Sequence, residues 1–65
     1  MKKYIAENRI GEYGEEIVVY TPDNPTESVD YVVVDECGSH KKALRYLRKK
    51  LGIKRFWRVY LWVKP

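Results

Sequence analysis

A single segment with helical spacing, enclosed by two capping residues, limits what this chain can fold into. Within residues 40–51 the apolar side chains recur three or four positions apart, which places them on one face of an α-helix. Ser39 is a favoured residue at the start of a helix, and Gly52 is a favoured residue just beyond its end. The sequence therefore predicts one helix over residues 40–51, with a stripe facing the core. That stripe comprises His40, Ala43, Leu44, Leu47 and Leu51.

The residues before the helix have the composition of three β-strands separated by turns. Residues 3–10, 15–21 and 30–37 are predicted strands, the last two being rich in β-branched side chains. Residues 11–14 begin and end with glycine, which favours a tight hairpin between the first two strands. Two prolines interrupt residues 21–28, which indicates a loop before the third strand.

Residues 55–64 alternate strictly between two classes of side chain, which predicts a fourth strand with two distinct faces. Trp57, Val59, Leu61 and Val63 are predicted to face the helix. The opposite face is aromatic and basic, and it comprises Phe56, Arg58, Tyr60, Trp62 and Lys64. The element order βββαβ predicts an α+β fold in two layers, with a mostly antiparallel four-stranded sheet and one helix packed on one face.

The chain has 65 residues, which predicts one small domain over residues 1–65 with a thin core. Cys37 is the one cysteine, so no internal disulfide can form, and no cluster of cysteine and histidine predicts a structural metal. A homodimer would be a natural way to enlarge such a core. We find no apolar run long enough to span a membrane and no signal-peptide pattern, so a cytoplasmic location is expected.

The charges are divided along the chain. Residues 1–37 contain nine acidic and three basic residues, whereas residues 38–65 contain ten basic residues and no acidic one, and the formal net charge is +4. Such asymmetry favours interaction with a charged partner. The alternative is that the acidic strands neutralise the basic segment after folding. Abundant charge and the absence of glutamine are also a tendency of thermophile proteins.

Two surfaces are candidates for binding nucleic acid. On the predicted open sheet face, Phe56, Arg58, Tyr60, Trp62 and Lys64 offer rings for stacking on bases and cations for phosphates. A homodimer or another protein could instead cover this face, because aromatic residues and arginine are common at interfaces. On the outer face of the helix a second set could follow a phosphate backbone without reading its sequence. That set comprises Lys42, Arg45, Tyr46 and Lys49.

No pattern in the sequence indicates an enzyme or a cofactor. Cys37 and His40 have the spacing of two metal ligands or of a nucleophile and its base, but two residues do not make a zinc site. Their simpler interpretation is packing at the start of the helix. The sequence therefore predicts a small basic nucleic-acid-binding protein of low sequence specificity. The alternative is a protein-interaction module, such as a regulator or inhibitor of a larger enzyme.

Overall fold

The computed structural model describes residues 3–61, and within them it shows a four-stranded sheet with one main helix packed against it. The strand order is β3-β2-β1-β4, in which β1 pairs antiparallel with β2, β2 antiparallel with β3, and β1 parallel with β4. This mostly antiparallel α+β fold confirms the predicted class. The elements are β1 (Ile5–Gly11), β2 (Gly14–Tyr20), β3 (Asp30–Val33), α1 (Val34–Cys37), α2 (His40–Leu51) and β4 (Arg58–Tyr60).

Helix α2 has the bounds that its capping residues predict. The Ser39 Oγ atom accepts a hydrogen bond from the backbone N–H of Lys42 at 3.1 Å, which satisfies one of the free donors at a helix start. Gly52 ends the helix with φ of +70°, in the left-handed region that favours glycine. These two local signals explain why the sequence predicts residues 40–51 without any knowledge of the tertiary structure.

The β1–β2 hairpin also follows its turn residues. Gly11 pairs with Gly14 across the turn, and Gly14 has a φ of +101°, a backbone angle that residues other than glycine rarely adopt. The strands extend over residues 5–11 and 14–20, within two residues of the predicted bounds. The hairpin fixes the register of the two longest strands and so decides which of their side chains face the helix.

The hydrophobic core lies between α2 and the sheet. Its buried members are Ala6, Ile17, Val19, Val34, Ala43, Leu47 and Phe56. Helix α2 packs on β2, β3 and α1, so it lies over one half of the sheet. The β1 edge, where β4 is added, therefore lies away from the centre of the helix.

The third strand is shorter than predicted. Strand β3 ends at Val33, and the chain turns into the four-residue helix α1 rather than continuing to residue 37. Val34 is buried in the core, whereas Asp35 and Glu36 are exposed on the outside of the turn. A run of apolar residues does not by itself distinguish a strand from a short buried helix, which is why the sequence pattern misled here.

The prediction for the fourth strand was wrong in two respects. Strand β4 (Arg58–Tyr60) begins at Arg58 rather than at residue 55, so strand alternation does not extend back to Phe56, and residues 62–64 of the predicted strand lie outside the described residues. Phe56, predicted on the open face, is only 8% exposed and belongs to the core. Conversely, three residues predicted in the core are exposed because β4 lies at the sheet edge away from α2. They are Trp57 (47% exposed), Val59 (44%) and Leu61 (40%).

Candidate functional site

The sheet face opposite α2 carries Arg58 and Tyr60, as the alternation predicts. Val59 pairs with the core residue Ala6, so the flanking residues Arg58 and Tyr60 point to the other side of the sheet. Trp62 and Lys64, predicted on the same face, lie outside the described residues. By register this open face is formed by Ile5, Glu7, Arg9, Glu16, Val18, Tyr20, Tyr31, Val33, Arg58 and Tyr60.

The open face balances its charges internally. The Arg9 Nε atom lies 2.7 Å from the Glu7 Oε2 atom, and the Tyr20 hydroxyl donates to Glu7 Oε1 at 2.9 Å. The Arg9 guanidinium holds the pKa of the Glu7 carboxyl below its ordinary value, with a smaller contribution from the Tyr20 hydroxyl. Burial and the hydrogen bond to Glu7 raise the pKa of Tyr20. Among the described residues of this face, the two carboxylates, Glu7 and Glu16, equal the two guanidinium groups, Arg9 and Arg58, in number.

The outer face of α2 is exposed, with Lys42, Arg45, Tyr46 and Lys49 all directed away from the core. Its two ends differ in their surroundings. Lys42 and Tyr46 line a groove that also contains the Glu36 carboxylate of α1. Arg45 and Lys49 make no ion pair among the described residues, so this half of the helix surface keeps its positive charge.

Acidic side chains collect at the end of the sheet formed by the hairpin and α1. Strand β3 ends there at Val33, which pairs with Glu16, and one groove is lined by Tyr13, Asp35 and Glu36. His40, at the start of α2, places its Nε2 atom 3.5 Å from the Glu15 Oε1 atom. The acids at this end are Glu12, Glu15, Glu16, Asp35 and Glu36.

Basic side chains collect at the opposite end, where α2 ends and β4 begins. The backbone N–H of Ile53 donates to Arg48 and that of Trp57 donates to Tyr4, which holds the connecting segment between the helix end and the start of β1. We refer to the cations from the middle of α2 to the start of β4, with Lys3, as the basic surface. It comprises Lys3, Arg45, Arg48, Lys49, Lys50, Lys54, Arg55 and Arg58.

Carboxylates neutralise little of the basic surface. Within residues 3–61, Lys50 is the one member with an ion pair, at 3.2 Å from Asp30 Oδ2. The hydrogen bond to Asp30 raises the pKa of Lys50. The 21–29 loop, which leaves β2 and enters β3 at this end, adds Asp23 and Glu27. Eight cations therefore face three acids, and the charge division seen in the sequence persists as two oppositely charged ends.

Trp57 is the residue that sequence reasoning missed. The Lys3 Nζ atom lies 5.0 Å from the centroid of the Trp57 ring, and the Arg58 Cζ atom lies 4.9 Å from it. Both distances are within the range of cation–π attraction. Alternation assigned Trp57 to the core, whereas its position between Arg55 and Arg58 was the available signal of a basic and aromatic surface.

The described residues contain neither a group of three or more potential ligands that could hold a metal ion nor a helix of the length and apolarity needed to cross a membrane. Cys37 is partly buried and packs against the core. This contact agrees with the packing interpretation of Cys37.

Comparisons with protein-family models, with curated proteins and with solved structures give no match to this chain. The function is therefore inferred from the residues themselves.

Proposed function

We propose that this chain binds nucleic acid with little sequence specificity, and that the basic surface holds the phosphate backbone. The observation that carries the proposal is the absence of ion-pair partners for seven of the eight cations within the described residues. Lysine and arginine contacts to phosphates provide affinity without reading bases. The described part of the open sheet face contributes less to phosphate binding than the sequence suggested, because its acidic and basic residues are equal in number and Phe56 is buried.

The positive charges of α2 carry a stability cost, which supports a role outside folding. Arg48, Lys49 and Lys50 lie in the last turn, where the helix dipole favours cations. Lys41 and Lys42 lie in the first turn, where the dipole disfavours them, and no acidic residue accompanies them there. Like charges four positions apart repel, and the helix contains such pairs without an acid to relieve them. Stability alone therefore does not explain this composition.

Affinity for nucleic acid should fall steeply as salt is added, because bound phosphates release counterions. We expect a plot of log affinity against log salt concentration to be linear, with a slope of about −0.7 per phosphate contact for single strands. The measurement is fluorescence anisotropy of labelled random oligonucleotides from about 20 to 300 mM salt. No binding at the lowest salt would rule out the proposal.

Charge reversal at Arg45 should weaken binding and stabilise the fold at the same time. Arg45 is exposed, and Lys41 and Lys49 lie four positions away from it on either side. Glutamate at this position removes two repulsions and adds two attractions, for a gain of about 0.5–1 kcal/mol at low salt. One lost phosphate contact lowers the salt slope by about 0.7. Thermal unfolding and anisotropy measure the two effects.

The opposite signs of these effects separate binding from folding. A variant that is more stable and binds less cannot have lost affinity through unfolding. Arg45→Gln is the matched control, because it removes the repulsion without adding attraction and should fall between the wild type and Arg45→Glu in both measurements. A glutamate variant that binds as tightly as the wild type would show that Arg45 does not contact the ligand.

The alternative function is docking to a protein, either a second copy or a larger partner. Exposed apolar and aromatic residues on and beside the edge strand β4 favour it, since Val59, Tyr60 and Leu61 are 40–50% exposed. Sedimentation measurements at low salt distinguish the two functions. A dimer that Tyr60→Glu dissociates, together with no oligonucleotide binding, would favour this alternative.

A further inference from the structure

A groove beside Trp57 opens at the end of the sheet that carries the basic surface. It has a volume of about 740 Å³ and lies between the start of β1, the start of the 21–29 loop and the segment before β4. Pro22, Val29 and the two aromatic rings supply apolar walls, while Thr21 and Asp23 supply polar groups. The residues that line it are Lys3, Tyr4, Thr21, Pro22, Asp23, Val29 and Trp57.

We propose that this groove takes an unpaired nucleobase, which stacks on Trp57, so that the protein binds single strands more tightly than duplexes. The inference rests on the proposed function and adds to it the kind of nucleic acid that is bound. A base is planar and of a size that the groove accommodates, and stacking on an aromatic ring tolerates every base. In a duplex the bases are already stacked within the helix and are not available to Trp57.

The two cations at Trp57 favour a nucleotide over an uncharged aromatic ligand. Lys3 and Arg58 lie within 5.0 Å of the ring centroid, so a base on the ring carries its phosphates next to positive charge. Lys3 is exposed on a flexible side chain, and a base displaces its ammonium group from the ring toward the backbone phosphate.

The groove also continues the basic surface. Val29 lines it, and the next residue, Asp30, holds Lys50 at the end of α2. Arg55 lies two positions before Trp57 on the connecting segment. A single strand that places one base on Trp57 therefore passes the cations of the helix end.

The test compares three labelled ligands of equal phosphate number: an oligothymidine, an abasic single strand and a duplex. We expect oligothymidine to bind about five- to a hundredfold more tightly than the abasic strand, because only the former has bases to stack. Trp57→Ala should reduce that ratio to within about twofold while the abasic strand keeps its affinity. Tyr13→Ala, at the exposed hairpin turn on the other end of the sheet, is the matched aromatic control and should keep the ratio.

A spectroscopic measurement reports the contact directly. In a Trp62→Phe background Trp57 is the one tryptophan, and oligothymidine should quench its emission whereas the abasic strand should not. Trp57→Phe retains a ring and should keep part of the ratio, and circular dichroism verifies that each variant is folded. If Trp57→Ala does not fold, two measurements on folded protein still test the stacking site. They are the wild-type ratio of affinities for oligothymidine and the abasic strand, and the quenching of Trp57 emission in the Trp62→Phe background.

The outcomes separate this inference from the proposed function. Equal affinity for oligothymidine and the abasic strand, with unchanged Trp57 emission, overturns the stacking site and leaves phosphate binding intact. Tighter binding to the duplex overturns the preference for single strands. No binding to any of the three ligands overturns the proposed function and the stacking site with it.

Discussion

An Asn8→Asp variant should be largely unfolded at pH 7 and should recover stability as the pH is lowered. Asn8 is fully buried, its Nδ2 atom donates to the Glu15 Oε1 atom at 3.1 Å, and its Oδ1 atom has no hydrogen-bond partner within the described residues. Aspartate keeps the shape but replaces the donor with an oxygen beside a carboxylate. A buried charge without compensation costs about 3–5 kcal/mol. A fold of this size has about 3–10 kcal/mol in total.

The sign of the pH dependence follows from where the new carboxyl is protonated. Burial and the neighbouring Glu15 raise the folded-state pKa of aspartate at position 8 above its unfolded value of about 3.9. Between these two values the folded state binds more protons than the unfolded state, so stability falls as the pH rises. The penalty is therefore full at neutral pH and absent below about pH 4, where the new carboxyl is uncharged in both the folded and the unfolded state.

Urea denaturation of the variant and the wild type at each pH from about 3 to 7 gives the difference between their free energies of unfolding. Asn8→Leu is the matched control, because it removes the same hydrogen bond without adding a titratable group. Its difference from the wild type should change little with pH. An Asn8→Asp variant with wild-type stability at pH 7 would mean that water reaches this position.

The elements with local signals were predicted from the sequence, and those fixed by tertiary contacts were not. Ser39 caps the start of α2 with its side chain, and Gly52 ends the helix through its backbone conformation. Because both signals are local, the predicted helix bounds, residues 40–51, were correct. Strand β4 depends instead on where the chain meets β1, at the hydrogen bond from Trp57 to Tyr4. Nothing in residues 55–64 marks that point, and the faces of Phe56 and Trp57 were therefore assigned wrongly.

Only part of the candidate site was predicted, because some of its features depend on tertiary contacts. The division of charge is visible in the sequence, because no acid follows Glu36. The sheet order decides which cations remain without an ion-pair partner. It places the acidic residues of the hairpin at one end of the domain and the C-terminal end of α2 at the opposite end. Glu7 and Arg9 lie two positions apart on β1 and share one of its faces, but only the register of β1 shows that this face is the open one. The functions predicted for Arg58 and Tyr60 stay predictions.

Leu47→Ala should cost about 2–5 kcal/mol and leave much of the protein unfolded at 37 °C. Leu47 is fully buried where α2 meets the sheet, in one cluster with Ile17, Val19 and Phe56. Its truncation removes apolar contacts and leaves a cavity that rigid neighbours fill only in part. A domain of 65 residues has few other buried side chains to offset the loss, and its single cysteine forms no disulfide.

Tyr46→Ala is the matched control for this loss, because Tyr46 precedes Leu47 on the same helix and is 48% exposed. It should cost less than about 1 kcal/mol. Urea denaturation followed by circular dichroism measures both variants, and an unchanged m-value would show that stability alone has changed. Equal losses of stability would contradict the packing of α2 on the sheet.

At low temperature, where Leu47→Ala is mostly folded, its affinity for nucleic acid should equal that of the wild type, because the basic surface does not include this side chain.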